Sequence, residues 1–254
     1  MKQFILSISF LFICFIGVSQ RNMSDSIIPT PLFGVQYGGT WSGGDLKERF
    51  GYFNHIGITA GYKFQKNWYA GIAGDFMFGN QINISNYQLF KNFVDSYGNI
   101  TDQNGDAATV LTFSRGFHVN GEIGKVFNKL GHNKNSGLFL KLGAGFLNHR
   151  IRIESNDHVV PLLEKEYKKG YDRLTTGLNT SQFLGYLFMA DNNFLNFYAG
   201  FYIQEGFTKN RRTLFWDQPE VPVPSDFRLD LMYGFKIGWL IPVYKRVPKD
   251  YYFN

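Results

Sequence analysis

His118, His149 and His158 are the residues of this chain best suited to acid–base work, and Ser114 and Ser155 are the hydroxyls close to them in sequence. A histidine, a hydroxyl and an orienting carboxylate within hydrogen-bond reach would make an acyl-transfer site. No local signature ties these five residues together. His55 and His132 read as loop or strand-end residues. There is no His-Glu-x-x-His pattern, no paired histidine ladder and no glycine-rich phosphate loop. Asp102-x-Asn104-Gly105-Asp106 lacks the spaced ligands and closing Glu of a calcium loop and reads as a turn. The sequence therefore predicts a protein without enzymatic activity, cofactor or metal.

The elements that must carry these residues show a period of two. Phe33, Val35, Tyr37 and Trp41 alternate with Gly34, Gln36, Gly38 and Thr40. The same pattern runs from Ile56 to Phe64, Trp68 to Phe78, Leu111 to Phe127, Leu138 to Phe146 and Leu195 to Ile203. It is cleanest from Phe227 to Val243 and muddier from Leu178 to Met189. Strict alternation marks strands with two unlike faces. Most of these eight segments run longer than the ~5–6 residues of a soluble strand and match the ~9–11 of a tilted membrane-crossing strand. One face is almost wholly apolar and aromatic. The other is Gly, Ser, Thr, Asn and a few charges, the sense expected of a barrel standing in lipid.

The connections support the same reading. Gln65–Asn67, Asn128–Ser136 and Ala190–Asn193 are short, whereas Asn80–Ala108, Glu154–Thr176 and Thr208–Ser225 are long and Gly43–Arg49 is intermediate. Short turns on one side and long loops on the other are the outer-membrane arrangement, and closure removes the sheet edges that hydrocarbon does not tolerate. The fold expected is an eight-stranded antiparallel transmembrane up-and-down β-barrel, spanning 31–244, with long extracellular loops and both termini periplasmic. Trp41, Tyr52 and Phe53 at one end, and Trp68, Tyr69, Trp239 and Tyr244 at the other, are assigned to aromatic girdles.

An eight-stranded barrel is filled by side chains. The alternation points Lys63, Asp75, His118, Glu122, Lys141, Arg228, Asp230 and Lys236 inward. Charges in so narrow a space must pair, so a salt-bridged plug is expected. In the loops, a short helix is expected to start near Pro161. Arg211, Arg212, Phe215 and Trp216 in the last long loop have the character of interface residues, or of groups that meet lipopolysaccharide phosphates or fold back on the rim. Tyr251, Tyr252 and Phe253 in the tail 245–254 are further candidates for partner contact.

The start of the chain reads as a targeting segment. Lys2 precedes an apolar run from Phe4 to Val18, followed by Ser19, Gln20 and the polar Arg21-Asn22. That is the layout of a cleaved secretory signal over 1–20, too short to span a bilayer, leaving 21–30 as a periplasmic lead-in. Cys14, the only cysteine, would leave with it, so the mature chain has no thiol or disulfide chemistry.

Composition excludes other classes. Aromatics make up 18% of the 254 residues, charged residues 18%, and mean hydropathy is −0.20. Such a chain is neither disordered nor a bundle of apolar helices. The net charge of +6, about +5 without Lys2, is spread thinly and forms no nucleic-acid stripe.

With the signal, the eight strands and the final segment LMYGFKIGWLIPVYKR, residues of about 30–245 resemble the small outer-membrane β-barrel domain proteins of Bacteroidota, PorT-like barrels among them. Ten residues follow Tyr244 and the chain ends in Asn254, whereas many such proteins end on a terminal aromatic. The resemblance implies a subunit of an envelope secretion or outer-membrane protein assembly complex. Its partners would be outer-membrane lipid, lipopolysaccharide and other envelope proteins. It supplies no catalytic residues.

Overall fold

The computed structural model describes residues 26–95, 97–155, 159–164, 166–190 and 195–244. The segment 1–20, the tail 245–254 and His158 lie outside them. Eight long strands close into one antiparallel barrel: β1 (Thr30–Gly44), β2 (Phe53–Lys63), β3 (Trp68–Gly79), β6 (Leu111–Phe127), β7 (Gly137–Glu154), β8 (Thr175–Met189), β9 (Asn196–Asn210) and β10 (Arg228–Pro242). Neighbours in sequence are neighbours in space, and β1 closes on β10 with Val35 opposite Trp239 and Trp41 opposite Tyr233. A small hairpin, β4 (Ile100–Thr101) and β5 (Ala107–Ala108), lies in the longest loop.

The outer wall is apolar. Ile58 is 69% exposed and Phe201 77%, and Phe33, Ile72, Phe76, Ile123, Leu142 and Ile237 face outward with them. An apolar surface of that extent is a lipid or partner surface, not one for water. No helix among the described residues is long and apolar enough to cross a membrane.

The lumen is layered. At the short-turn end, Leu32, Tyr69, Val126, Phe139, Phe183, Leu187, Tyr198 and Leu240 pack into one apolar plug. At the long-loop end, Phe53, Met77, Leu147, Ile151 and Met232 form another, continuous with loop residues Leu46, Phe50, Leu89, Phe90 and Leu163. Polar and charged side chains fill the space between. Glycines make this possible. At Gly57, opposite Asp75, a Cβ would overlap both the Gly74 carbonyl and the Asp75 carboxylate.

Several local readings change. Tyr69 and Phe53 point into the lumen and are buried, so they build the plugs and not the girdles. Trp41, Trp68 and Trp239 do face outward. A short helix does start at Pro161, but it is a single 3-10 turn, Pro161–Leu163, followed by a second, Tyr167–Gly170. Asp102 accepts the backbone N–H groups of Asn104 and Asp106, as expected of a turn. In β8 the alternation blurs for two reasons. Phe183, Leu187 and Met189 join the apolar plug on the inner face, while Thr180 and Gln182 on the outer face hydrogen-bond Glu205 of β9 at 2.7 and 2.9 Å.

Candidate functional site

The middle layer of the lumen centres on Asp75. Its β3 position faces His118 of β6 on one side and Gly57 of β2 on the other. Gln36 Nε2 donates to both carboxylate oxygens at 2.8 Å. Lys236 Nζ reaches Oδ2 at 3.2 Å. His55 Nδ1 lies 3.5 Å from Oδ1, and His118 Nε2 lies 3.6 Å from Oδ2. Tyr198 donates its hydroxyl to Gln36 Oε1, which fixes the amide from behind. His55, read from the sequence as a loop or strand-end residue, lies near the start of β2 and is fully buried. The alternation could have found it: extended back from Gly57, the inward face takes in His55 and then Phe53.

The inward charges divide into four groups. Asp75, His118 and Lys236 share the layer just described. Glu122 and Lys141 pair beside it at 2.8 Å, and the Lys141 ammonium lies near the rings of Tyr198, Phe183 and Phe139 at 4.8, 5.2 and 5.7 Å. Arg228 and Asp230 stand near the long-loop mouth. Lys63 lies apart at the short-turn end, where it donates to Asn135 Oδ1 at 2.8 Å and to the Ile28 carbonyl at 3.3 Å. Held by these two carbonyl oxygens, the ammonium anchors the lead-in segment to a turn.

At the long-loop mouth, His149 Nε2 lies 2.8 Å from Asp230 Oδ2, and Thr208 donates to the same oxygen. Ser114 sits diagonally across the β6–β7 ladder from His149, because Gly116 is the residue opposite His149. Ser114 Oγ and His149 Nδ1 have no hydrogen-bond partner among the described residues. Here is a carboxylate, an imidazole and a hydroxyl, but all are buried, and the Phe50 ring packs edge-on against His149. Ser155 is buried in the loops. Arg49 closes the mouth from above, donating to Thr175 Oγ1 at 2.6 Å, to the Arg173 carbonyl at 3.1 Å and to Asn210 Oδ1 at 2.7 Å. Burial, and then the nearby Arg228 charge, lower its pKa to about 10.

No family model matches the chain, and neither does any curated protein. Among solved structures, it is similar to Ail, the attachment invasion locus protein of Yersinia pestis, crystallised with the heparin analogue sucrose octasulfate. The identity is 13% and the TM-score 0.40, over 84% of this chain and 99% of that one. It is similar to Neisserial surface protein A at 10% identity and a TM-score of 0.39, over 84% and 99% of the two chains. It is similar to the outer membrane protein OprG from Pseudomonas aeruginosa at 10% identity and a TM-score of 0.32, over 88% and 100%.

The long loops fold into a cap. Arg212 binds Asp172 through two hydrogen bonds, the Nε one at 2.8 Å, and this pairing raises the Arg212 pKa. Arg173 Nη2 donates to Asp217 at 2.6 Å while its guanidinium lies 3.7 Å over the Phe215 ring. Trp216 packs edge-on to Tyr167 and Tyr171 and lies flush against Gly170. So Arg212, Phe215 and Trp216, read from the sequence as partner contacts, as groups that meet lipopolysaccharide phosphates or as groups folded back on the rim, pack within the cap, and Phe215 is buried. Arg211 remains exposed. Tyr251, Tyr252 and Phe253 lie outside the described residues. Two clefts open on the cap. A polar one of about 650 Å³ is lined by Gln88, Lys91, Arg173, Asp217 and Glu220. An aromatic one of about 340 Å³ is lined by Phe93, Tyr171, Leu214 and Trp216. Asn92 and Pro219 border both.

Proposed function

We propose that this chain is a non-enzymatic integral outer-membrane barrel that serves as a structural or accessory subunit of an envelope complex for protein secretion or outer-membrane protein assembly. The observation behind this reading is the folded cap. Ordering loop backbone costs roughly 1–2 kcal/mol per residue, and a membrane anchor has no use for it. Here Leu46, Phe50, Leu89, Phe90, Ile100, Val160, Leu163 and Tyr171 share one apolar core continuous with the long-loop end of the lumen, and the result is a packed face with adjoining polar and aromatic clefts. Pre-organised surfaces of this kind lower the ordering cost of association.

The same reading gives the barrel a lipid contact. Arg115 and Arg150 stand opposite each other on the outer faces of β6 and β7, with Arg152 two residues further along, just beyond the apolar stretch that ends at Phe117 and Phe146. Like charges directly opposite on a sheet repel. Lipopolysaccharide phosphates at the outer leaflet would relieve that repulsion and fix the depth of the barrel.

A tagged, full-length protein extracted from native membranes in mild detergent tests the proposal. Stoichiometric co-purification of export or assembly proteins, identified by mass spectrometry, is the expected result. A clean monomer overturns the subunit reading.

A further inference from the structure

The Asp75 layer contains more than its ion pairs account for. Asp75 and Lys236 balance each other in charge. His55 is left over: it is buried, and neither of its ring nitrogens makes a hydrogen bond among the described residues. A buried polar group without a partner calls for an explanation, and an ion is one of the standard ones. One donor atom each from His55, Asp75 and His118 lies within 4.8 Å of the other two. Three successive barrel neighbours, β2, β3 and β6, hold them. The backbone leaves room for two of these side chains, since a Cβ on Gly38 would overlap the His55 ring and one on Gly57 the Asp75 carboxylate.

We propose that His55, Asp75 and His118 bind a divalent transition-metal ion of the zinc class inside the barrel. Two imidazoles and a carboxylate suit zinc and its first-row neighbours, whereas calcium and magnesium favour all-oxygen sites. Zinc sits ~2.0–2.2 Å from such donors, so small rotations of the three side chains close the set. Gln36 Nε2 donates to both carboxylate oxygens and fixes the aim of Asp75. Asn120 Oδ1 accepts from Asn179 Nδ2, so its own Nδ2 points at His118 Nδ1 at 3.4 Å and places the His118 ring proton on Nε2, the nitrogen facing Asp75. The ion takes that proton's place on Nε2, so binding moves the proton to Nδ1 and turns the Asn120 amide to accept it, the outer contact that a metal-ligating histidine needs.

Lys236 acts on this site as a competitor. Its ammonium lies 3.2 Å from Asp75 Oδ2 and 5.0 Å from the centre of the Tyr202 ring. On metal binding the carboxylate charge is shared, and the ring face remains as the ammonium's second partner. Apolar plugs close the lumen above and below, so the ion enters as the barrel folds and stays afterwards.

The test refolds the full-length chain into detergent with Zn²⁺ or with a chelator, then measures bound metal after extensive washing. One Zn²⁺ per chain is expected for the wild type, with loss to background in Asp75→Asn and His118→Gln. Unheated electrophoretic mobility shows whether each variant has closed its barrel. Lys236→Met keeps every ligand and removes the competitor, so it should bind Zn²⁺ more tightly, by roughly 10-fold, the lower end of the scale on which outer-shell changes move metal affinity. A folded wild-type barrel that holds no Zn²⁺ overturns the proposal. So does a folded Asp75→Asn barrel that holds as much as the wild type, or a Lys236→Met barrel that binds no more tightly.

Discussion

Lys141 Nζ and Glu122 Oε2 lie 2.8 Å apart on the lumen faces of β7 and β6, with the ammonium boxed among the rings of Tyr198, Phe183 and Phe139. Neither group reaches water, so each depends on the other. Breaking a buried pair by removing one partner costs about 3–5 kcal/mol, while replacing both by apolar groups of similar size is often neutral. Lys141→Met and Glu122→Gln should each lower the urea midpoint of the detergent-folded barrel, and the double variant Glu122→Gln/Lys141→Met should recover most of the loss. Additive losses would show that the two residues act separately.

Gly57 offers a second test of lumen packing. Its Cα faces Asp75 across the β2–β3 ladder, and an added methyl would meet the Gly74 carbonyl, which is backbone and cannot turn aside. Overpacking of this kind costs about 1–3 kcal/mol or more. Gly57→Ala should reduce the yield of closed barrel on refolding. Gly121→Ala, where the nearest atom lies 3.9 Å from the new Cβ, should not.

The His149–Asp230 pair has the elements of a catalytic dyad but no entrance. A general base must reach the proton it removes, and here Phe50 and Arg49 cover it. Lipid A from cells making the wild type and from cells making His149→Ala should have identical mass spectra. A mass difference dependent on His149 would assign this chain a lipid-modifying activity.

Much of the barrel is legible in the sequence because one physical rule, apolar out and polar in, acts at every second residue. The run from Phe227 to Val243 shows it best: Leu229, Tyr233, Phe235, Ile237 and Trp239 face out and Asp230, Gly234 and Lys236 face in. The rule misleads at strand ends, where an aromatic suits a girdle and a lumen plug equally well. That is why Tyr69 and Phe53 read as girdle residues. The cap was not legible. Its contacts join residues far apart in sequence, as when Arg49 meets Thr175 and Asn92 meets Trp216, and no local period announces them. For the same reason the sequence leaves Arg212 and Phe215 open between partner contact and folding back on the rim, and only their partners Asp172 and Arg173 show how they pack in the cap.

The membrane reading predicts a sign that a water-soluble barrel would not show. Phe201, midway along β9, is the most exposed of the outward aromatics on that strand. In water, Phe201→Arg at so exposed a position would be neutral or favourable. In lipid, an arginine on the outer face costs about 2–4 kcal/mol near the bilayer midplane and little at the interfaces. Phe201→Arg should therefore destabilise the barrel folded into vesicles by that amount, and Arg in place of Phe227, beyond the strand end, by far less.

The layered lumen predicts a closed pore with two independent seals. Tyr69, Phe139, Phe183, Tyr198 and Leu240 obstruct the short-turn end, and Phe53, Met77, Leu147, Ile151 and Met232 the other. Ions would have to cross both, as well as the Asp75 layer between them, and in an eight-stranded barrel side chains suffice to fill the cross-section. Planar bilayers containing the purified protein should show no conductance steps. Shortening the last long loop should leave them silent too, because the seals belong to the strands. Only a variant that thins both ends, such as Phe139→Ala and Tyr198→Ala combined with Phe53→Ala and Met77→Ala, should conduct. Steps from the wild-type protein would mean that the plugs move, and that the barrel transports something.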